Sequence, residues 1–125
     1  MIPQQLFDPA SSTYTYVIHC PVTREAAIID PVDAQLERDL ALLQAQGLRL
    51  RWALETHAHA DHITSAARLA EHTGAQLAAP AGCGIGTATR QLLDGETLTV
   101  GQESLRALLT PHQAQGGRLA RARRA

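Results

Sequence analysis

The chain has 125 residues, 45% apolar and 18% charged, which predicts one small globular domain and excludes a disordered chain. No run approaches the roughly 20 apolar residues that cross a bilayer. Met1-Ile2-Pro3-Gln4-Gln5 lacks the basic start and apolar stretch of a secretory leader, so a cytoplasmic protein without membrane contact is expected.

The net charge of −1 makes no general case for nucleic acid, but it is a sum over two unlike parts. Residues 1–110 carry a net of −5, whereas residues 111–125 hold four Arg and no acid. Lys is absent and Ala occurs 22 times, the usage of a GC-rich coding sequence. A tail of Gly, Ala, Arg and Gln is also what such DNA encodes in a wrong reading frame. Aromatic residues are limited to Phe7, Tyr14, Tyr16 and Trp52, so the core must be built from Leu, Ile, Val and Ala. Cys20 and Cys83 lie far apart, belong to no C-x-x-C pair, and are expected to be ordinary thiols.

Tyr14 to Ile18 is β-branched and aromatic and reads as a strand, with a turn over Pro21 to Glu25 and a return strand over Ala26 to Ile29. Asp30-Pro31 ends that strand, since Pro has no ladder donor. Asp33 is placed to cap a helix whose apolar stripe is Leu36, Leu40 and Leu43, and Gly47 stops it. A strand follows over Arg51 to Glu55, through Trp52, Ala53 and Leu54. A second helix is predicted from near Asp61, with a small-residue face of Ile63, Ala66, Ala67 and Ala70 and a stop at Gly74. Gln76 to Ala79 reads as a strand, Gly82, Gly84 and Gly86 as a loop, and Asp94-Gly95 as a turn. Leu98 to Val100 and Leu105 to Leu109 read as strands joined around Gly101. The alternation of strands and helices predicts an α/β layered structure. Residues 112–125 have no apolar periodicity and are expected to be an irregular basic tail.

The segment that carries chemistry is Thr56-His57-Ala58-His59-Ala60-Asp61-His62, directly after a predicted strand. A strand end places groups at a rim, where ligands bind in open α/β sheets. His57 and His59 are two apart and share one side of an extended backbone, and Asp61 and His62 follow on the first turn of the predicted helix. Four ligand-type side chains can converge on one small volume. Imidazole and carboxylate together suit Zn, Fe or Mn, and a core gains nothing from them, because unpaired buried His and Asp are costly. The plain alternative is a polar loop with an accidental run of His. His19 is expected at the surface, His72 at the negative end of its helix, and Asp30 in a structural turn.

T-H-x-H-x-D-H resembles the metal motif of the metallo-β-lactamase superfamily. Gln5-Leu6-Phe7-Asp8-Pro9, Ser11 to Tyr16, Ile29-Asp30-Pro31-Val32 and Glu55 to Thr64 are similar to persulfide dioxygenases, the sulfur dioxygenases of the glyoxalase II-like branch. The resemblance covers about residues 2–111. It implies the N-terminal half of an αβ/βα sandwich with metal at one edge of two facing sheets. It further implies one Fe(II), held by the first His of the motif, matched by His57, and by a later His and a later Asp. Glutathione persulfide and O2 would then give sulfite and glutathione, with His57 and Asp61 in the catalytic set and His59, Asp61 and His62 around the metal or substrate. In a glyoxalase II-like hydrolase the same resemblance implies one or two Zn(II), His57 and His59 on one and Asp61 and His62 on the other, activating water against a glutathione thioester.

The family continues with T-P-G-H-T-x-G, whereas this chain reads Thr110-Pro111-His112-Gln113. His112, the candidate next ligand, therefore comes one position early and without its Gly. No later Asp ligand or second αβ layer has a counterpart. The expectation is a truncated or frameshifted persulfide dioxygenase-like chain with little activity. The other readings are a thioester hydrolase of the same fold and a non-catalytic metal-binding module completed by a partner chain. A basic arm for nucleic acid or an acidic partner finds weak support in four Arg without aromatics or a patterned face.

Overall fold

The computed structural model describes residues 3–56, 65–80 and 90–107, and the backbone of 121–124. In chain order the elements are β1 (Gln4–Asp8), β2 (Thr13–His19), β3 (Glu25–Ile29), a 3-10 turn (Asp33–Gln35), α1 (Leu36–Ala45), β4 (Arg49–Leu54), α2 (Ser65–Thr73), β5 (Gln76–Pro80), β6 (Arg90–Leu92), β7 (Thr97–Val100), β8 (Glu103–Arg106) and β9 (Arg121–Arg124).

Strands β1 to β6 form one six-stranded sheet in sequence order. β1, β2 and β3 pair antiparallel through short connections, and β3, β4, β5 and β6 pair parallel. Parallel neighbours need crossovers, supplied by α1 between β3 and β4 and by α2 between β4 and β5. Strands covered on both faces read as near-continuous apolar runs. Accordingly Ala26, Ala27 and Ile28 of β3 and Trp52, Ala53 and Leu54 of β4 are all buried.

Two clusters mark the two faces of this sheet. On one face Val17, Ala26, Ile28, Leu50, Ala53 and Leu77 pack with Leu36 and Leu43 of α1 and with Ala66 and Leu69 of α2. On the other, Ile18, Ala27, Trp52, Leu54, Ala78 and Leu92 pack with Leu98, Val100 and Leu105. Those last residues belong to a second sheet, ordered β7-β8-β9, so the layers run helix, sheet, sheet. The Trp52 indole N–H donates to the Thr99 carbonyl at 2.9 Å, an interlayer bond that satisfies a polar atom within an otherwise apolar contact. The predicted α/β half-sandwich is therefore the observed architecture.

Several local expectations change. Asp33 does not cap α1: it opens the 3-10 turn, Gln35 occupies the cap position without a side-chain bond, and the Asp33 carboxylate pairs with Arg68 of α2. The apolar stripe of α1 includes a fully buried acid, Asp39, between Leu36 and Leu43. In α2 the expected small-residue face is present in part: Ala66 is buried and Ala67 packs against the same cluster, but Ser65 and Leu69 are buried there too, and Leu69 brings the larger apolar area. β1 and β6 carry no clear signal in the sequence; β1 is Gln-rich but gains a full antiparallel ladder from β2. The tail expected to be irregular contains β9, paired antiparallel to β8 with Ser104 opposite Arg123. A ladder is made by backbone groups and needs no apolar periodicity. Asp61 and Ile63 of the predicted helix start, the Gly82–Gly86 loop and Cys83 lie outside the described residues.

Candidate metal centre at the strand rim

Because β3, β4 and β5 are parallel, their carboxyl ends lie along one rim. That rim carries Asp30 after β3 and Glu55-Thr56 after β4. His57, His59, Asp61 and His62 follow Thr56 directly in sequence; they and His112 lie outside the described residues. Among the described residues no group of three or more His, Cys, Asp or Glu could hold a metal. The described structure therefore defines the frame from which the His-rich segment departs and to which it returns.

Asp30 is the centre of that frame. Its N–H donates to the Leu54 carbonyl at 2.8 Å, and its own carbonyl accepts the Thr15 hydroxyl at 2.8 Å. One carboxylate oxygen, Oδ1, accepts the Thr56 N–H at 2.8 Å, and Oδ2 accepts the Thr56 hydroxyl at 2.5 Å. Asp30 has φ 53, in the left-handed region, which Asp tolerates better than most residues and which fits a turn rather than a continuing strand. Pro31 then prevents extension of the ladder. The structural turn predicted for Asp30 is present, and its side chain grips the first residue of the His-rich motif. The sequence signal for that turn is Asp-Pro after an apolar strand, but the partner Thr56, 26 positions away, carries no local cue.

Glu55 and Thr15 also belong to this frame, although the sequence alone assigns neither a role. Thr15 is 0% exposed and Glu55 only 1%. The Glu55 N–H donates to the Ala78 carbonyl at 3.1 Å, and its Oε1 accepts the Ala66 N–H in the first turn of α2 at 3.3 Å. The segment 57–64 is thus bracketed, with Thr56 tied to Asp30 on one side and Ala66 tied to Glu55 on the other.

Two histidines lie away from the motif. His72 is exposed in the last turn of α2, as expected. His19 is half-buried rather than on the surface, and its Nδ1 is buried without a hydrogen-bond partner among the described residues. Cys20 is a buried free thiol, as expected. The Thr23 hydroxyl and the N–H groups of Thr23 and Gln102 lower its pKa to about 7. The Gln102 N–H lies 3.4 Å from the Cys20 sulfur.

Comparison with known proteins agrees with this frame. The family model described as metallo-beta-lactamase superfamily matches residues 8–82, a span that includes Asp30, Thr56 and the whole His-rich motif. The chain is 34% identical to the human mitochondrial persulfide dioxygenase ETHE1 over 113 residues, covering 90% of this chain and 44% of that protein. It is 37% identical to a hydroxyacylglutathione hydrolase of Polaromonas sp. over 105 residues, covering 82% of this chain and 39% of that one. Among solved structures, ETHE1 from Myxococcus xanthus superposes with a TM-score of 0.81 at 43% identity, over 89% of this chain and 49% of the other. The chain thus spans about half the length or less of these relatives. No helix among the described residues is long and apolar enough to cross a membrane. With the layered fold, the strand-rim frame and the family match in agreement, the chain belongs to the metallo-beta-lactamase superfamily, whose N-terminal part it represents.

Proposed function

We propose that the chain forms the N-terminal, metal-binding part of a persulfide dioxygenase-like enzyme, acting on glutathione persulfide with O2 and water to give sulfite and glutathione. The observation that carries this reading is Thr56 at the carboxyl end of β4, held by Asp30 and followed directly in sequence by His57-Ala58-His59-Ala60-Asp61-His62, in a chain similar to persulfide dioxygenase over 90% of its length. The donor chemistry fits a borderline metal: three imidazoles and one carboxylate favour Fe(II) or Zn(II) over Mg or Ca. In the proposed assignment His57 is a ligand, His112 the candidate second His ligand, and His59, Asp61 and His62 line the metal or substrate side. Fe(II) held by these donors would supply the redox chemistry for oxidation of the terminal persulfide sulfur by O2. The chain's own contribution is placement. Asp30 and Thr15 hold the turn after β3, and Asp30 in turn holds Thr56, so the donors leave the sheet from a defined point.

The second reading is a hydroxyacylglutathione hydrolase-like enzyme with one or two Zn(II), favoured by the 37% identity over 82% of the chain to a protein of that name. Both readings take a glutathione-derived substrate. On its own the 125-residue chain is proposed to turn over little, since it spans less than half of the persulfide dioxygenase it resembles and His112 is the one residue after the motif matched to a ligand.

The deciding experiment loads the purified chain anaerobically with Fe(II) or with Zn(II) and measures metal stoichiometry. It then follows O2 uptake with glutathione persulfide and thioester cleavage with a hydroxyacylglutathione. One Fe per chain, with weak O2 uptake giving sulfite, supports the first reading. Two Zn per chain with thioester cleavage supports the second. No retained metal of either kind rejects both, and robust sulfite formation rejects the low-turnover proposal.

A further inference from the structure

Arg38, Arg68 and Arg90 each pair with a carboxylate, of Asp39, Asp33 and Glu96 respectively. One group of arginines departs from that pattern. Arg24, Arg49 and Arg51 stand together at the amino ends of β3 and β4, the end of the sheet opposite the rim that carries Asp30 and Thr56. The Arg49 N–H donates to the Arg24 carbonyl at 2.9 Å, and Arg49 lies opposite Glu25 in the ladder. Arg51 is the bulged residue of that pair of strands, since Ala26 faces Leu50 and Ala27 faces Trp52.

The three cations share one carboxylate. Arg51 Nε lies 3.8 Å from Glu25 Oε1, a loose pair with half of the Arg51 side chain exposed. Arg24 and Arg49 have no carboxylate partner among the described residues. Arg24 Nη2 donates to the Gln46 carbonyl, and Arg49 Nη2 donates to the Thr23 carbonyl at 3.2 Å. A carbonyl fixes a guanidinium without cancelling its charge, and each guanidinium has five N–H donors, so donors remain for a partner. Arg24 also has φ 65, a conformation that opposes any residue with a Cβ. The turn holds it there through its N–H to the Cys20 carbonyl at 2.9 Å. Two of the three guanidiniums are thus placed before any partner arrives, which lowers the entropy cost of binding.

The spacing selects the kind of partner. Residues two apart on a strand, or facing across two strands, stand about 5–7 Å apart, wider than the oxygens of one small anion. Carboxylates two apart on an extended acidic segment repeat at the same interval. Val22, in the same turn as Arg24, is 67% exposed and offers an aliphatic contact that suits a polypeptide. Trp52, beside Arg51, is only 5% exposed, so its ring is not free to stack on a base.

We propose that Arg24, Arg49 and Arg51 form a docking surface for an extended acidic polypeptide segment, at the end of the sheet remote from the candidate metal centre. It is independent of the reaction assigned to that centre. Glu25 moderates the surface by holding part of the Arg51 charge.

The test titrates the full chain with the capped peptide Glu-Leu-Glu-Leu-Glu, and separately with inorganic phosphate and a short oligo(dT), following amide and arginine Nε shifts by NMR. The peptide is expected to shift Val22 to Glu25 and Arg49 to Arg51. Its Kd should rise roughly two- to fivefold in Arg24→Gln and in Arg49→Gln, rise further in the double variant, and fall in Glu25→Gln. Tighter binding in Glu25→Gln is an effect that a merely structural role would not give. If Arg24→Gln does not fold, Arg49→Gln and Glu25→Gln decide. Replacing Arg118, Arg121, Arg123 and Arg124 by Gln should leave the Kd within about twofold. Absence of peptide binding, shifts confined to other residues, an unchanged Kd in folded Arg49→Gln, or binding lost with the tail arginines overturns the proposal. Phosphate binding the same residues as tightly as the peptide would overturn it in favour of a single-ion site. Tighter binding of oligo(dT) there would overturn it in favour of a nucleic-acid surface.

Discussion

The carboxylate of Asp30 takes both the backbone N–H and the hydroxyl of Thr56, joining the turn after β3 to the residue that opens the His-rich motif. A carboxylate that accepts two donors at once holds its partner in orientation as well as in place. Asp30→Ala loses both bonds and also leaves a non-glycine residue at φ 53. Asp30→Gly loses the bonds but relieves the backbone. Both variants are expected to lower stability, by about 2–3 kcal/mol for Ala and less for Gly. Urea denaturation measures the difference, and the Thr56 amide should exchange faster in both. Unchanged Thr56 protection in Asp30→Gly would show that the side chain anchors nothing.

Gly101 tests how closely the two sheets approach. A Cβ there would stand 2.7 Å from the Cys20 Cβ and collide with the Thr23 hydroxyl, and the residue has φ +61. Gly47 has φ +63, and a Cβ there would meet nothing within 4 Å. Gly47→Ala should therefore cost the backbone term alone, about 1–2 kcal/mol. Gly101→Ala should add an overpacking cost of about 1–3 kcal/mol. Equal denaturation midpoints for the two variants would contradict the close packing of the β7–β8 turn on the Cys20–Thr23 turn.

Asp39 gives stability a pH dependence of unusual sign. Burial raises its pKa, opposed by the Arg38 guanidinium, whose Nε lies 3.1 Å from Oδ1. Oδ2 has no hydrogen-bond partner among the described residues. A carboxyl raised in the folded state favours folding below its ordinary pKa, and that contribution is lost as pH rises through the folded value. Asp8 runs the other way: hydrogen bonds from Ser11 and Gln35 lower its pKa, so its contribution is lost on acidification. Comparison with Asp39→Asn isolates the first effect. The variant should be more stable than wild type at neutral pH, by about 1–3 kcal/mol, and the gap should close as pH falls below the usual carboxylate range. A gap independent of pH would exclude a titrating Asp39.

Cys20 separates acidity from reactivity. Its thiol is lowered to about 7, chiefly by the Thr23 hydroxyl, yet it is 1% exposed. In a Cys83→Ser background, thiolate absorbance should titrate near that value in wild type and move toward 9.0, the ordinary value, in Thr23→Ala. Alkylation by iodoacetamide should nevertheless be slow in the folded chain and fast in urea, because the reagent must reach the sulfur. Rapid native alkylation would place Cys20 at the surface.

Much of this protein is legible in its amino-acid sequence. The strands around Ile18, Ile28 and Leu54 show as apolar or β-branched runs, and Gly47 and Gly74 end helices, both at positive φ. The His-rich motif, through its spacing, points to the superfamily that the family match shows. Those signals are local: periodicity, turn chemistry and ligand types within a few positions. Asp39 and Leu69 on the helix faces, β9 in the basic tail, and the bond from the Ala66 N–H to Glu55 were decided only by the tertiary structure. Each depends on packing that the local pattern does not encode. An acid can occupy an apolar stripe when Arg38 accompanies it, and an Arg-rich segment becomes a strand when β8 offers an open edge. A strand-end Glu accepts a backbone N–H of α2 when that helix packs beside it. The sequence by itself determined which residue types stand where the metal chemistry is proposed; the packing of β3, β4, β5 and α2 decided which side chains hold the ends of that segment, because only a folded sheet brings Asp30 to Thr56 and Glu55 to Ala66.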